Sequence, residues 1–276
     1  MSQVSTSTAI ASSSAEAAGD VTPLLAWGRL AALAAWSALV ITTWGVLTLL
    51  ALPFADLRHA VRRMIFRGWA RGVAVLLGLR VRIEGEVPRA PFFLVSNHLS
   101  YLDIVTYAAV MPARFVAKRE VRGWPAVGLL ARAMATIFID RTVKRDAVRV
   151  QGSLARAIAE GDGVVVFAEA TSSAGHEVLP FRPALLEWAA QSGSPVHHAS
   201  VGYRTSAGSI PAHLSVCWWG EMTFGRHLAA LARLPWIEAT VRFGDAPIAE
   251  RDRKRLADRL HQAVSARFIP VVLEPE

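Results

Sequence analysis

The sequence FFLVSNHLSYLDIVTYAAV, which runs from Phe92 to Val110, decides the fold because it joins a strand, a turn and a helix. Its first five residues form a short apolar run that is typical of a buried strand, and the apolar run after Asp103 predicts a helix. His98 and Asp103 lie at the junction, where the strand ends. Open α/β sheets bind their ligands at the carboxyl ends of strands. The junction is therefore a candidate active site.

Two interpretations of His98 and Asp103 fit this position. A histidine can act as a general base near neutral pH, and a carboxylate beside it can orient the imidazole. Alternatively, Ser100 and Asp103 match the Ser-x-x-acid capping box that begins many helices. These residues alone do not decide between catalysis and capping.

The remainder of the chain alternates between strand-like and helix-like segments. This alternation predicts an α/β or mixed α+β fold, with a mostly buried mixed sheet flanked by helices. Helices are expected at 153–160, 184–191 and 250–266. The candidate strands are Arg80–Val87, Phe92–Ser96, Arg114–Ala117, Thr136–Asp140, Val164–Ala168, Val196–Tyr203 and Ile237–Phe243.

The N-terminal part of the chain is strongly apolar. Residues 30–52 contain no charged side chain, and at about 1.5 Å per residue a helix of this length crosses a hydrocarbon core of roughly 30 Å. A buried core helix is the alternative. We expect a disordered tail over residues 1–22, a membrane-anchoring helical segment over 23–79 and a catalytic domain over 80–276.

The segment that follows the apolar run is basic. Residues 57–83 carry seven arginines and no acid, and arginine beside an apolar span indicates the cytoplasmic side of a membrane. Arg63, Arg67 and Arg71 share one face of the predicted helix. That face predicts contact with an anionic lipid surface, although an ordinary surface helix that covers a core would show the same pattern.

The composition also excludes some classes of protein. The net charge of +8 could suit nucleic acid, but no zinc spacing, recognition helix or RNA-binding aromatic motif accompanies it. The single cysteine, Cys217, excludes an intramolecular disulfide and a cysteine metal cluster.

Four sequence blocks follow His98 in a specific order. With the His98–Asp103 block they resemble the glycerolipid acyltransferase family, typified by the 1-acylglycerol-3-phosphate acyltransferases, over about residues 80–203. The blocks are Lys118-Arg119-Glu120, Thr136–Arg141, Val164–Thr171 and Leu179–Arg182.

The resemblance implies a reaction and a set of site residues. The family transfers an acyl group from coenzyme A or acyl carrier protein to the hydroxyl of a lysolipid, with no metal or other cofactor. His98 is then the general base and Asp103 orients it, while the lipid hydroxyl is the nucleophile. By the same resemblance the substrate is bound by Lys118, Arg141, Glu169, Thr171 and Arg182.

The third block departs from the family pattern. Where the family commonly has Phe-Pro-Glu-Gly-Thr-Arg, this chain has Phe167-Ala168-Glu169-Ala170-Thr171-Ser172. Alanine tolerates a positive φ less well than glycine, and Ser172 removes an arginine suited to phosphate. The resemblance still places 1-acylglycerol-3-phosphate first as acceptor. A lyso-ornithine lipid is the alternative, and a Trp-rich segment over 218–222 resembles that branch.

We therefore expect a phospholipid-biosynthesis acyltransferase at the inner membrane, with its catalytic domain in the cytoplasm and no nucleic-acid partner. A catalytically silent lipid-binding protein is the alternative from another class. A thioesterase, which would use water in place of the lipid hydroxyl, is a second enzymatic alternative.

Overall fold

The computed structural model describes residues 19–140 and 146–272 of the chain. Arg141 and most of the predicted N-terminal tail lie outside the described residues. Nine α-helices are described: α1 Pro23–Leu50, α2 Ala55–Leu76, α3 Leu102–Val110, α4 Val127–Ala133, α5 Asp146–Ala159, α6 Glu187–Ser192, α7 Ala212–Ser215, α8 Phe224–Leu231 and α9 Arg253–Ser265. Short 3₁₀ turns cover Arg119–Gly123 and Pro183–Leu186.

Seven strands form one mixed sheet, as the alternation predicted. They are β1 Leu79–Glu84, β2 Phe92–Ser96, β3 Ala113–Lys118, β4 Ile137–Ile139, β5 Gly163–Phe167, β6 Val196–Thr205 and β7 Ile237–Phe243. Their order across the sheet is β1-β7-β6-β2-β5-β3-β4. Strands β6, β2, β5, β3 and β4 are mutually parallel, whereas β7 runs antiparallel to β6. The carboxyl ends of five strands therefore meet at one edge of the sheet, and we call it the catalytic edge.

Both faces of the sheet are covered. Every residue of β2 and of β5 is buried, which explains why these strands are apolar runs without alternation. One apolar cluster joins one face of the sheet to α2, α3 and part of α1, and a second joins the other face to α5, α6 and α9.

Helix α1 packs against α2 along one narrow stripe. Its buried residues are Ala26, Leu33 and Val40, each seven positions apart. The Trp36 indole donates to the Trp69 carbonyl at 3.1 Å, above a glycine of α2 that leaves room for the ring. Among the described helices, α1 is the one long and apolar enough to cross a membrane.

The arginine face of α2 points toward the protein, so its predicted contact with lipid is wrong. Arg67 donates to the Val110 carbonyl at 2.8 Å, and Arg71 donates to the Ala109 carbonyl at 3.2 Å. These carbonyls end α3, where the helix dipole favours a cation. Arg63 instead contacts the carboxylate of Asp162 at 3.2 Å. The other interpretation, a surface helix that covers the core, describes this face correctly.

Candidate active site

His98 and Asp103 form a hydrogen-bonded dyad at the catalytic edge. The Nδ1 atom of His98 lies 2.7 Å from Oδ2 of Asp103. Because a carboxylate accepts, Nδ1 carries the ring proton and Nε2 is left as the basic atom. The His98 side chain is 21% exposed while that of Asp103 is fully buried. The imidazole is therefore accessible to a substrate and the carboxylate is not.

Asp103 also caps α3, so the capping interpretation is correct and is compatible with a contact to His98. Its Oδ2 accepts the backbone N–H groups of Leu99 at 2.8 Å and Ser100 at 3.1 Å, while the Ser100 hydroxyl accepts the N–H of Leu102 at 3.2 Å. The turn that caps the helix is the turn that holds the carboxylate under His98. Capping thus fixes the dyad rather than competing with it.

The His98 turn contacts β5 and β6, the two strands on either side of β2. The imidazole stacks on the Phe167 ring at the end of β5, with centroids 4.2 Å apart and planes 13° apart. Asn97, fully buried, exchanges two hydrogen bonds with the backbone of Val201 on β6, at 2.8 and 2.9 Å. The ring is supported on one face and its backbone is anchored to the sheet.

Glu169 is buried against the backbone of His98 and is not exposed beside the imidazole. Its Oε1 accepts the backbone N–H of His98 at 3.0 Å, and the residue is 2% exposed. Burial raises the pKa of Glu169 to about 8, although the N–H groups of His98 and Leu179 act in the opposite direction. The N–H of Ser173, which follows the third block, donates to the His98 carbonyl at 3.1 Å. Glu169 and Ser173 together therefore hold both the N–H and the carbonyl of His98.

The comparisons with known proteins agree with this geometry. A family model described as Acyltransferase matches residues 78–202. The chain is 34% identical over 245 residues to the lyso-ornithine lipid O-acyltransferase of Brucella abortus, covering 83% of this chain and 92% of that relative. It is 30% identical over 198 residues to the 1-acyl-sn-glycerol-3-phosphate acyltransferase of Neisseria meningitidis, covering 71% and 77%.

The chain belongs to the glycerolipid acyltransferase family. Its fold is also that of the 1-acyl-sn-glycerophosphate acyltransferase of Thermotoga maritima, with a TM-score of 0.55 over 86% of this chain and 95% of that one, at 19% identity. The predicted family, fold class and enzyme class are thereby confirmed.

Ser172, which replaces the family's arginine, has a structural contact of its own. Its hydroxyl donates to the carbonyl of Trp218, and the backbone N–H of Trp218 donates to the Leu99 carbonyl at 2.7 Å. The Trp-rich segment is thus joined to the third block and to the His98 turn. In this acyltransferase, position 172 anchors that segment.

Ala170, which replaces the family's glycine, keeps the backbone conformation that favours glycine. Its φ is +67°, a region that costs an L-residue with a side chain about 1 to 2 kcal/mol. The third block therefore carries local strain beside the dyad.

We expect Ala170→Gly to stabilise the protein by about 0.5 to 1 kcal/mol, because relief of this strain exceeds the entropy that glycine adds to the unfolded chain. Urea unfolding in detergent measures the change. Ala168→Gly is the matched control: Ala168 is buried and its φ is not positive, so that variant should be less stable than the wild type. Equal losses in both variants would contradict the strain argument.

The predicted substrate residues occupy different environments. Lys118 ends β3, and Thr171 and Arg182 lie in the loops that follow β5, so all three are exposed around the catalytic edge. Their role in binding stays a prediction, as does that of Arg141, outside the described residues. Glu169 is buried against the His98 backbone, a position that favours holding the dyad over touching a substrate.

Three residues of the site were not predicted to belong to it: Phe167, Tyr203 and Trp218. Tyr203 donates its hydroxyl to Oδ1 of Asp103 at 2.7 Å, yet it is 100 positions away on β6. No local motif marks such a partner. The aromatic end of β5 was the available signal for Phe167, since β5 and β2 are adjacent buried strands.

Proposed function

We propose that this chain is a lysolipid O-acyltransferase that moves a fatty acyl group from a thioester donor to a lipid hydroxyl. The observation that carries the proposal is the dyad, in which Nδ1 of His98 contacts Asp103 and leaves Nε2 as the basic atom of a side chain that is partly exposed. The names of the relatives agree with it.

The dyad supplies the proton transfers of the reaction. Nε2 of His98 accepts the proton of the lipid hydroxyl while that oxygen attacks the thioester carbonyl. The tetrahedral intermediate then collapses, the carbon–sulfur bond breaks, and the leaving thiolate takes the proton back from the imidazolium. Asp103 holds the reactive tautomer and stabilises the imidazolium, as the aspartate of a hydrolase triad does. The ester and a free thiol are the products.

As acceptor we propose an amino-acid lysolipid of the lyso-ornithine type. Ser172 leaves no guanidinium at a position suited to phosphate, and its hydroxyl is occupied by Trp218. Two of the relatives, from Brucella abortus and from Rhizobium meliloti (36% identical over 225 residues), carry the lyso-ornithine name. The second candidate is 1-acylglycerol-3-phosphate, which Lys118 and Arg182, both exposed at this edge, favour.

A lysolipid panel tests both candidates. The purified enzyme is offered each lysolipid with acyl-coenzyme A and with acyl carrier protein, and the products are identified by mass spectrometry. We expect a diacylated product from lyso-ornithine lipid. Product from lysophosphatidate alone would move the acceptor to the second candidate, and thioester loss that does not depend on any lysolipid would indicate a thioesterase.

We propose further that residues 23–79 anchor the enzyme on the cytoplasmic leaflet of the inner membrane, with α1 lying along the bilayer surface. Arg29 on α1 donates to the Leu234 carbonyl at 2.6 Å, and the Trp44 ring lies 6.0 Å from the Phe66 ring of α2. Between these contacts α1 runs for about 22 Å along α2 and the loop before β7. A helix packed against the rest of the protein over this length favours partial insertion over a span.

Cysteine labelling in whole cells distinguishes the two arrangements. The native Cys217 is buried, so Gly19→Cys and Leu52→Cys each add one accessible thiol, at opposite ends of α1. A membrane-impermeant maleimide added outside should label neither if α1 lies on the cytoplasmic leaflet. Labelling at one position and not at the other would show that α1 spans the membrane.

A further inference from the structure

We infer that a group of aromatic rings beside the dyad binds the ammonium of the acceptor headgroup. We call this group, which consists of Tyr101, Trp124, Trp218 and Phe224, the aromatic corner. The inference rests on the proposed amino-acid lysolipid, and it assigns the headgroup contacts that Ser172 leaves unassigned.

The rings of the aromatic corner meet at steep angles and short distances. Trp124 and Trp218 meet at 73° with their centroids 5.8 Å apart, and Tyr101 meets Trp218 at 75° and 5.4 Å. Phe224 closes the group, 5.0 Å from Tyr101. All four rings are only partly buried. A cation over the face of an exposed tryptophan or tyrosine ring is attracted by the ring's quadrupole.

The aromatic corner is fixed next to His98. Tyr101 lies three residues after His98 in the same turn, and Trp218 is bonded to Leu99 and Ser172. The Trp218 indole donates to the Met222 carbonyl at 2.7 Å, which sets the ring orientation. One lipid molecule could therefore place its headgroup at the aromatic corner and its hydroxyl at His98.

The charge around the aromatic corner suits a zwitterion better than a phosphate. Three of its four rings lie in two segments, residues 119–124 and 218–226. These segments contain three basic residues, Arg119, Arg122 and Arg226, and two acidic residues, Glu120 and Glu221. Arg119 is paired with Asp140 at 2.8 Å, which leaves two bases and two acids. Burial also lowers the pKa of His227, whose Nδ1 lies 3.0 Å from the Tyr101 hydroxyl. The histidine behind the rings is therefore neutral and does not repel an ammonium.

Trp218→Ala tests the inference, and Trp219→Ala is the matched control. Trp219 is the adjacent, exposed indole and bonds to the His213 carbonyl instead. We expect Trp218→Ala to raise the KM for lyso-ornithine lipid by roughly tenfold, the scale of a partly desolvated cation–π contact. The KM for the acyl donor should stay constant, and Trp219→Ala should leave both within about twofold.

An acceptor whose amine is acetylated separates the cation contact from general packing. The wild type should prefer the free amine, whereas Trp218→Ala should accept both forms equally. Trp218→Phe, which keeps an aromatic face, should recover part of the preference and excludes misfolding as the cause. A preference that survives in Trp218→Ala, or a raised donor KM, would overturn the inference. A wild type that gives no product from lyso-ornithine lipid would instead reject the proposed acceptor.

A separate observation assigns Tyr203 as a positioning residue for the dyad. Oδ2 of Asp103 is occupied by His98 and by the two N–H groups of the turn, while Oδ1 accepts the Tyr203 hydroxyl at 2.7 Å. Tyr203 is 2% exposed, and its oxygen also lies 3.2 Å from the Thr106 hydroxyl. Tyr203 thus holds the second oxygen of a fully buried carboxylate.

Tyr203→Phe is compared with Tyr107→Phe, an equally buried tyrosine that bonds to Ser96 at 2.7 Å and not to the dyad. We expect Tyr203→Phe to lower kcat by about tenfold, the value of a hydrogen bond to a charged group, with both KM values constant. The acidic limb of the pH profile should move to higher pH, because a less stabilised Asp103 carboxylate favours the His98 imidazolium.

The charge of Asp103 contributes to the raised pKa values of Glu169, Tyr107 and Cys217, and both tyrosine variants keep Glu169 and Cys217. A similar shift of the profile in Tyr107→Phe would therefore contradict a specific role for Tyr203, and an unshifted profile in Tyr203→Phe would reduce that residue to a packing role.

Discussion

Replacing His98 by alanine is expected to lower kcat for acyl transfer by about 10²- to 10⁴-fold, the range that a positioned general base contributes. The variant keeps the capping turn, because Asp103 still accepts the N–H groups of Leu99 and Ser100. Its folding should therefore change little. Single-turnover transfer of a labelled acyl group to the lysolipid measures the loss directly.

His59→Ala is the matched control for this experiment. His59 lies on α2 and faces Glu160 at 3.9 Å, just before the amino end of β5, at the edge of the sheet opposite the dyad. Its replacement should leave kcat within about twofold of the wild type. Equal transfer by His98→Ala and the wild type would remove the dyad from the mechanism.

The central strands β2 and β5 were predictable because they are short apolar runs, and β7 was predictable because buried and partly buried residues alternate along it. The bounds of Phe92–Ser96 and Ile237–Phe243 were predicted to the residue, since both end at a sharp change from apolar to polar residues. The helix that follows β4 was predicted to begin at residue 153, seven residues after its start at Asp146. A sequence pattern defines the boundaries of an element less well than its existence and type.

The dyad was predictable because both residues lie in one turn, and the family's spacing marks them. The contacts that support it were not, because they come from other strands. Tyr203 and Val201 reach the turn from β6, which pairs with β2 only in the folded sheet. A single sequence contains the periodicity of β6 but not the identity of its neighbour.

The orientation of α2 shows the same limit. Periodicity correctly grouped Arg63, Arg67 and Arg71 on one face, but it does not state what that face meets. The carbonyls that end α3 provide a polar partner inside the protein. Met64 and Val75 of α2 are exposed.

Asp162→Asn is expected to destabilise the protein by about 3 to 5 kcal/mol, the cost of breaking a buried ion pair from one side. Asp162 is 2% exposed and precedes β5. Its carboxylate contacts Arg62 and Arg63 of α2 and accepts from Nε of Arg114, on β3, at 2.6 Å. The asparagine keeps the shape of the side chain but leaves these guanidinium groups without their shared counter-charge. Unfolding by urea in detergent measures the loss.

The loss of stability caused by Asp162→Asn should depend on pH. Burial alone would raise the pKa of Asp162, but the charges and hydrogen bonds of Arg62 and Arg114 outweigh burial and lower it. A lowered carboxyl pKa stabilises the folded state above the unfolded value of about 3.9, and this stabilisation disappears as the pH falls through the folded pKa. The difference in unfolding free energy between the wild type and Asp162→Asn should therefore be largest near pH 7 and should disappear in strong acid.

Asp245→Asn is the control, since Asp245 pairs with Arg267 at 2.6 Å but is 88% exposed. An exposed pair contributes at most about 1 kcal/mol, so that variant should unfold close to the wild type. If both variants lose the same stability, the charge cluster around Asp162 is not what joins α2 to the sheet. If only Asp162→Asn loses it, the carboxylate of Asp162 holds α2 to the sheet in addition to the contacts of Arg67 and Arg71 with the end of α3.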